Sequence, residues 1–405
     1  MMDILRFITA GNVDDGKSTL IGRLLYDTNN IKKDVLESVA DTAQETSPIN
    51  LAYITDGLRE ERQHGITIDV AYKYFTTSRR KYIIIDAPGH FGYTRNLVTG
   101  ASGADLMIIL IDAKNGIADQ TKRHSLAASF LKTNQIVVAI NKMDLVNYNE
   151  QVFNSLRKEY LLIAEKLHIP EITFIPMSAL CGDNVSFPSL KMDWYKGKTL
   201  MQYLDSYTPL NTYSGVARFS IQYIIDAVEK GYTGKMLSGK LKAGEGIVIY
   251  PKAEKTEIRK IMHGYEEVTE AGAGQNVCIF LENDIDAKRG NIIAAADNGP
   301  TCSSEFEATV CWLNADAALQ PGAKYYLRIN GLETSCTITE VLYKIDVTTF
   351  EERKTDAPVE VNEFAKVKIS TSDTIAYDLY AIVPENGRGI IIDAGTNYTS
   401  AAFII

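Results

Sequence analysis

Apolar and polar positions follow two rhythms along this chain, and the rhythm changes near its middle. In the first half, short apolar runs alternate with longer stretches of helical spacing. "LRFITA" (5–10), "KYIIIDA" (81–87), "DLMIILID" (105–112), "QIVVAIN" (135–141) and "ITFIPMS" (172–178) are rich in Ile and Val. Each is bounded by Gly, Pro, Asp or Asn, which predicts buried strands. Residues 119–132 and 150–167 lie between such runs and have helix length. "IDVAYKYFTT" (68–77) alternates apolar and polar residues, as an edge strand does. Strands alternating with helices predict a mostly parallel sheet with helices on both faces.

After about residue 208 helical spacing nearly vanishes. "DSYTPLNTYSG" (205–215) reads as a linker. "ARFSIQYII", "GKMLSGKL", "EGIVIYP", "EIRKIMH", "QNVCIFL" and "GNIIAAA" follow, separated by Gly-containing turns. A second break falls at "ADNGPTCSS" (296–304). "FEATVCWL", "KYYLRI", "TSCTITEVLYKI", "FAKVKIST" and "RGIIID" come after it. Short strands at close spacing predict all-β modules. The expected organisation is an α/β domain over 1–208 and two small all-β barrels over 209–298 and 299–405.

Composition narrows the classes. The 405 residues are 45 % hydrophobic and 23 % charged, ordinary values for a water-soluble globular chain. The formal net charge of −9 speaks against a bare phosphate backbone as partner, so nucleic acid is not expected. The five cysteines, at 181, 278, 302, 311 and 336, show no CxxC pair and read as reduced thiols. No stretch approaches 18 uninterrupted apolar residues, and "MMDILRFITAG" reads as a first strand, not a leader. No membrane is expected, and the cytoplasm is the expected compartment.

Gly11-x4-Gly16-Lys17-Ser18 stands between a predicted strand and the helical "KSTLIGRLLYD", which is the setting of a phosphate-binding P-loop. The cradle comprises Gly11, Asn12, Val13, Asp14, Asp15, Gly16, Lys17, Ser18 and Thr19. Its glycines let backbone N–H groups turn onto phosphate at a helix N-terminus. Lys17 is expected to reach the β- and γ-phosphates, and the Ser18 hydroxyl to ligate Mg²⁺. The P-loop by itself leaves ATP and GTP both open.

"NKMD" (141–144), at the end of the "IVVAI" strand, selects the base. The Asp144 carboxylate can accept from guanine N1–H and from its 2-amino group. Adenine offers neither donor, and a desolvated site built on such bonds rejects an analogue lacking them by ~10⁴ or more. Asn141 is expected to orient the loop and meet the base edge, and the Lys142 stem to pack on the base plane. "SAL" (Ser178, Ala179, Leu180) follows the next strand, where a backbone N–H near Ala179 is expected to meet guanine O6. The nucleotide is therefore expected to be GTP.

"DAPGH" (86–90) closes the "YIIID" strand. Asp86 is expected to hold Mg²⁺ through water, the Gly89 N–H to meet the γ-phosphate, and His90 to position the attacking water. In "REERQHGITID" (59–69), Thr67 is a further Mg²⁺ candidate in a segment able to order with GTP and melt with GDP. The expected catalytic set is His90, Lys17 and Gly89. The expected metal set is Ser18, Thr67 and Asp86.

With two β modules behind them, these motifs resemble the translation-factor-type GTPases of the elongation-factor class. "VDDGKSTLIGRLLYD", "DGLREERQHGITIDVAYKYF", "APGHFGYTRNLVTGAS", "ADLMIILIDAKNGIADQTKRHS", "NKMDLVNY" and "SALCGDNV" are similar to the CysN family, the large subunit of bacterial sulfate adenylyltransferase. "TEAGAGQNV" (269–277), "DIDAKRGNIIAAAD" (284–297) and "TEVLYKIDVTTFE" (339–351) extend the likeness over nearly the whole chain. The resemblance implies a GTPase subunit of ATP sulfurylase, paired with a smaller CysD-type subunit. That partner would make adenylyl sulfate and diphosphate from ATP and sulfate, an uphill reaction driven by GTP hydrolysis. The resemblance also implies a monovalent-cation role for Asp14. Phe91-Gly92 departs from the family's usual Glu-Gln, and Asn12 stands where Ser is common. No second P-loop follows, so the adenylyl-sulfate kinase fused in some relatives is not expected. Two alternatives stay open: an elongation-factor-like GTPase binding aminoacyl-tRNA, and a CysN-like regulatory GTPase with altered coupling.

Overall fold

The computed structural model describes residues 3–31, 51, 70–88, 94–133, 135–209, 215–226 and 229–405. Thr67, Gly89, His90 and the Phe91-Gly92 departure lie outside the described residues. The chain divides into two compact units, Met1–Leu210 with Val347–Phe350, and Asn211–Asp346 with Glu351–Ile405.

The first unit is built on a six-stranded sheet of β1 (Ile4–Ala10), β2 (Ala71–Thr76), β3 (Lys81–Asp86), β4 (Leu106–Asp112), β5 (Ile136–Asn141) and β6 (Ile172–Pro176). The order is β2-β3-β1-β4-β5-β6, with β2 antiparallel at one edge and the other neighbours parallel. The central strands β4 and β5 are buried at every position, as a sheet covered on both faces requires. The helices are α1 (Lys17–Asp27), α2 (Thr94–Ala101), α3 (Asp119–Phe130), α4 (Glu150–Lys166) and α5 (Leu200–Ser206).

Side-chain alternation sorts the strands' residues between two cores. Leu5, Phe7, Ile84, Leu106, Ile108 and Leu110 pack with Leu20, Ile21 and Leu24 of α1 and Leu200 and Leu204 of α5. The intervening residues face the other way. A Cβ at Gly100 of α2 would lie 2.9 Å from Ile85 and 3.0 Å from Ile8, so α2 needs a glycine to sit on that second face. The strands are parallel, so the ends of β1, β3, β4, β5 and β6 that carry the sequence motifs emerge at one edge of the sheet.

The second unit holds two antiparallel sheets. One comprises β7 (Arg218–Asp226), β8 (Lys230–Ser238), β10 (Gly246–Tyr250), β11 (Glu254–His263), β12 (Glu266–Val268), β14 (Asn276–Leu281) and β15 (Ile292–Ala295). Pairing of β10 with β11 closes it into a six-stranded barrel, with β12 appended. The short pair β9 (Lys240–Lys242) and β13 (Glu270–Gly272) stands apart. The other sheet comprises β16 (Thr301–Trp312), β17 (Lys324–Ile329), β18 (Leu332–Ile345), β19 (Glu352–Arg353), β20 (Phe364–Tyr377), β21 (Arg388–Asp393) and β22 (Thr399–Ile404). Pairing of β17 with β18 closes it in the same way.

Two differences from the sequence reading have local causes. "GKMLSGKL" is not one strand: Gly239, at φ +62°, turns the chain between β8 and β9, and a Cβ there would lie 2.6 Å from the Val216 carbonyl oxygen. β22, which pairs with both β16 and β21, was not anticipated. Its "TSAAFI" spends two positions on alanine, a weak strand former, yet Ala401 and Phe403 are buried in the barrel core.

The barrels are joined by a buried ion pair. Arg218 on β7 donates from Nε and Nη2 to the two oxygens of Asp378, each at 2.9 Å. Its Nη1 donates to the carbonyls of Ala217 and Asn298. Asn386 Nδ2 donates to Asp378 Oδ2 at 2.7 Å. All five guanidinium donors cannot be matched by water at 1 % exposure, so the bidentate partner is what makes the burial tolerable.

Candidate nucleotide site

The site begins where β1 ends. Gly16 caps α1 at φ +93°, a left-handed backbone that suits glycine. A Cβ at this position would also lie 2.5 Å from Asn141 Nδ2. Asp14 adopts φ +68° and is exposed, so the loop turns outward there and returns at Asp15. The turn leaves the first amides of α1 open at its N-terminus, the geometry that receives an anion. Lys17 Nζ donates to the Gly11 and Asn12 carbonyls at 3.0 and 2.8 Å, bridging the loop it belongs to. Burial pushes the Lys17 ammonium down, while Asp86, Asp15 and Asp14 oppose that shift.

Asp15 supports the loop from inside. Its Oδ2 accepts from the Asn12 N–H at 2.6 Å. Burial raises its carboxyl to about 6, against the opposing effects of the Asn12 N–H and Lys17. Asp86, at the end of β3, is 3 % exposed and accepts from Thr9 Oγ1 at 3.3 Å. Ser18 stands in the first turn of α1, half-buried. Among the described residues no group of three or more His, Cys, Asp or Glu forms a metal centre. A cation here would need oxygens from a hydroxyl and the nucleotide, which suits Mg²⁺.

The β5 loop is tied to this cradle. Asn141 is 1 % exposed, and both ends of its amide are engaged. Nδ2 donates to the Asp15 carbonyl at 2.8 Å, and Oδ1 accepts from the Ala179 N–H at 2.9 Å. The expected loop-orienting role is therefore visible as geometry, and the amide keeps a second N–H and a second lone pair beyond these two bonds. The Ala179 N–H is thereby engaged with Asn141, which leaves the next N–H of the turn, that of Leu180, as the nearby backbone donor for O6. Lys142 adopts φ +60°, and its Nζ lies 3.0 Å from Asp112 Oδ2. Asp112 also accepts from the Lys114 N–H at 2.8 Å and from Asn115 Nδ2 at 3.0 Å. Burial pushes the Asp112 carboxyl up, but Lys142 and these N–H groups together hold it below the usual range.

Asp144 opens the 3-10 turn Met143–Val146. Its Oδ1 is buried and meets no hydrogen-bond partner among the described residues. Ser178 is fully buried, and its Oγ accepts from the Cys181 N–H at 3.2 Å, fixing the turn that carries Ala179 and Leu180. The structure thus brings together the P-loop, Asp86, Asn141, Lys142, Asp144 and the Ser178 turn at one sheet edge. Thr67, Gly89 and His90 lie outside the described residues.

Two residues missed by sequence reasoning belong here. Asp112 anchors Lys142, and Arg23 of α1 donates to the Ala179 and Leu180 carbonyls. Asp112 was detectable as an acid at the carboxyl end of a buried strand. Arg23 and its target are 156 residues apart in sequence, and no local signal links them.

Residues 2–210 match the family model for the elongation factor Tu GTP binding domain, and residues 305–405 match the GTP-eEF1A C-terminal domain-like family. Sulfate adenylyltransferase subunit 1 of Chromobacterium violaceum is 42 % identical over 417 residues, covering 100 % of this chain and 86 % of its own. The protein of the same name from Shewanella oneidensis is 41 % identical over 414 residues, covering 99 % of this chain and 85 % of its own. The bifunctional enzyme CysN/CysC of Mycobacterium tuberculosis is 41 % identical over 414 residues, covering 100 % of this chain and 67 % of its own.

Proposed function

The chain belongs to the family of sulfate adenylyltransferase subunit 1, and from that premise we propose that it is the GTP-hydrolysing subunit of an ATP sulfurylase. Hydrolysis drives formation of adenylyl sulfate and diphosphate from ATP and sulfate on a smaller CysD-type partner. The setting is the cytoplasm. The observation that carries the nucleotide assignment is Asp144 Oδ1, buried with no hydrogen-bond partner among the described residues. A carboxylate oxygen withheld from water and protein needs a donor from elsewhere. Guanine supplies N1–H and the 2-amino group at one edge.

The residues divide the work. Asn141 holds the P-loop and the Ser178 turn in register. The Lys142 stem covers the base plane, its ammonium parked on Asp112. Lys17 leaves the loop carbonyls for the β- and γ-phosphates, and the N-terminus of α1 receives the phosphate charge. Ser18, Asp86 and Thr67 would hold Mg²⁺, which would neutralise phosphate charge when bound. Gly89 meets the γ-phosphate and His90 orients water. The second unit is read as two barrels, 209–298 and 299–405, that convey the nucleotide state to the partner.

The test is GTP hydrolysis by the full chain, with and without its small subunit, while adenylyl sulfate is followed from ATP and sulfate. The proposal expects hydrolysis to rise with the partner and product to require GTP. Hydrolysis indifferent to the partner, with product independent of GTP, would overturn it. An elongation-factor role is less supported, because the relatives at about 40 % identity over the full chain carry the sulfate adenylyltransferase name.

A further inference from the structure

Arg23 lies on the helix that starts at the P-loop, about two turns past Gly16, yet its guanidinium serves the base loop. Nε donates to the Ala179 carbonyl at 3.1 Å and Nη2 to the Leu180 carbonyl at 2.5 Å. Nη1 is held by Asp27 one turn on, at 3.4 Å. Gly182, at φ +84°, lies beside the guanidinium, and a Cβ there would sit in ordinary contact with it at 3.5 Å from Nη1.

The Ala179 carbonyl and the Leu180 N–H belong to one planar trans peptide and point in opposite directions. Holding that carbonyl on Arg23 therefore fixes the direction of the Leu180 N–H. This N–H meets no acceptor among the described residues. The preceding N–H, of Ala179, is already given to Asn141. The turn is thus gripped from two sides, by Asn141 from the β5 loop and by Arg23 from the phosphate helix.

We propose that Arg23 is a positioning residue for base recognition: by holding the Ala179 and Leu180 carbonyls, it aims the backbone donor of this turn at guanine O6. The assignment rests on the GTP reading above. It also couples the two halves of the nucleotide, because the clamp runs from the helix that receives phosphate to the turn that receives the base.

The test uses the full chain with Arg23→Met and Arg23→Lys, and three nucleotides. GTP has every contact, ITP lacks the 2-amino group but keeps O6, and 6-thio-GTP replaces O6 by a weak acceptor. Arg23→Met is expected to weaken GTP and ITP alike by about tenfold, the scale of charge-assisted bonds lost. The loss for 6-thio-GTP should stay within about threefold, because the contact that Arg23 aims is already weak there. KM for GTP should rise while the maximal hydrolysis rate holds. Arg23→Lys, with one ammonium for two carbonyls, should fall between. If Arg23→Met does not fold, the Lys variant reads the same ratio. An equal loss for all three nucleotides, or no loss, would overturn the proposal. A wild-type chain that binds ATP as well as GTP would instead overturn the nucleotide reading on which it rests.

Discussion

Asp144→Asn should move two measurable quantities in opposite directions, because one atom serves both. Asp144 Oδ1 is buried and has no hydrogen-bond partner among the described residues. An unsatisfied buried polar group costs about 1–3 kcal/mol, and more when charged. Replacing the carboxylate by a neutral amide relieves part of that, so the free variant should be more stable by about 1 kcal/mol. With GTP the balance reverses. The carboxylate accepts two donors from guanine, and hydrogen bonds to a charged group are worth about 1.5–3 kcal/mol each. The amide keeps one acceptor and turns its NH₂ against the other donor. The summed loss of about 3–5 kcal/mol corresponds to a fall in GTP affinity of roughly 10²- to 10³-fold or more. Xanthine carries a 2-oxo group where guanine has its amine, so the amide can donate to it. The assays are kcat/KM for GTP and XTP hydrolysis, and urea unfolding of the nucleotide-free protein. Unchanged GTP affinity would remove Asp144 from the base site. A clear loss of stability in the free variant would show that Oδ1 is satisfied in solution.

Gly16→Ala should abolish nucleotide binding, since φ +93° and a Cβ 2.5 Å from Asn141 Nδ2 strain the loop and displace its tie to Asp15; equilibrium binding of GTP reads it. Asp378→Asn should destabilise the second unit by about 3–5 kcal/mol in urea unfolding, because it leaves the buried Arg218 guanidinium without its countercharge. The double variant Arg218→Met with Asp378→Leu should cost less than Asp378→Asn, and a cost equal to or above it would refute the ion-pair reasoning. Asp15, raised from 3.8 to about 6, stabilises the folded chain below pH 4 and loses that contribution as pH rises through 6. Asp15→Asn should therefore flatten a fall of about 2–3 kcal/mol between pH 4 and 7 in chemical unfolding. His124, lowered by burial from 6.5 to about 3, acts with the opposite sign: its contribution is full above pH 6.5 and lost as pH falls toward 3. His124→Gln should remove that acid limb.

The phosphate and base motifs were legible because each concentrates its chemistry in a few consecutive residues. Gly16 is required by one dihedral and one close approach, and Asp144 by two donors on one base edge. The buried strands were legible because a sheet covered on both faces forces continuous apolar runs, as in "DLMIILID". What stayed hidden acts across the fold. β22 fills its place in the barrel with alanines whose value is their small volume between β16 and β21, a property of neighbours and not of the segment. Arg23 looked like an ordinary charged position on an amphipathic helix. Its role depends on β6 delivering Ala179 to the flank of α1, which no local pattern encodes. Asn141 was recognised by its position in the motif, while its two protein partners, Asp15 and Ala179, lie far from it in sequence and are brought to it only by the fold.

The same contacts bear on how base and phosphate binding communicate. Asp15 and Gly16 lie in the P-loop, Asn141 at the end of β5, Ala179 after β6, and Arg23 on α1. Hydrogen bonds run from Asn141 to Asp15, from Ala179 to Asn141, and from Arg23 to Ala179, and α1 closes the circuit back to Gly16. Each member uses a buried or half-buried polar group, so breaking one bond leaves a partner unsatisfied and weakens the rest. Such a ring resists independent movement of its segments. A base that fits the Asp144 edge therefore presents its phosphates to a loop already in register. A base that does not fit strains the loop that must hold the phosphates. Selection of guanine and capture of the phosphates are on this view one mechanical property, and Arg23 is the link that joins them.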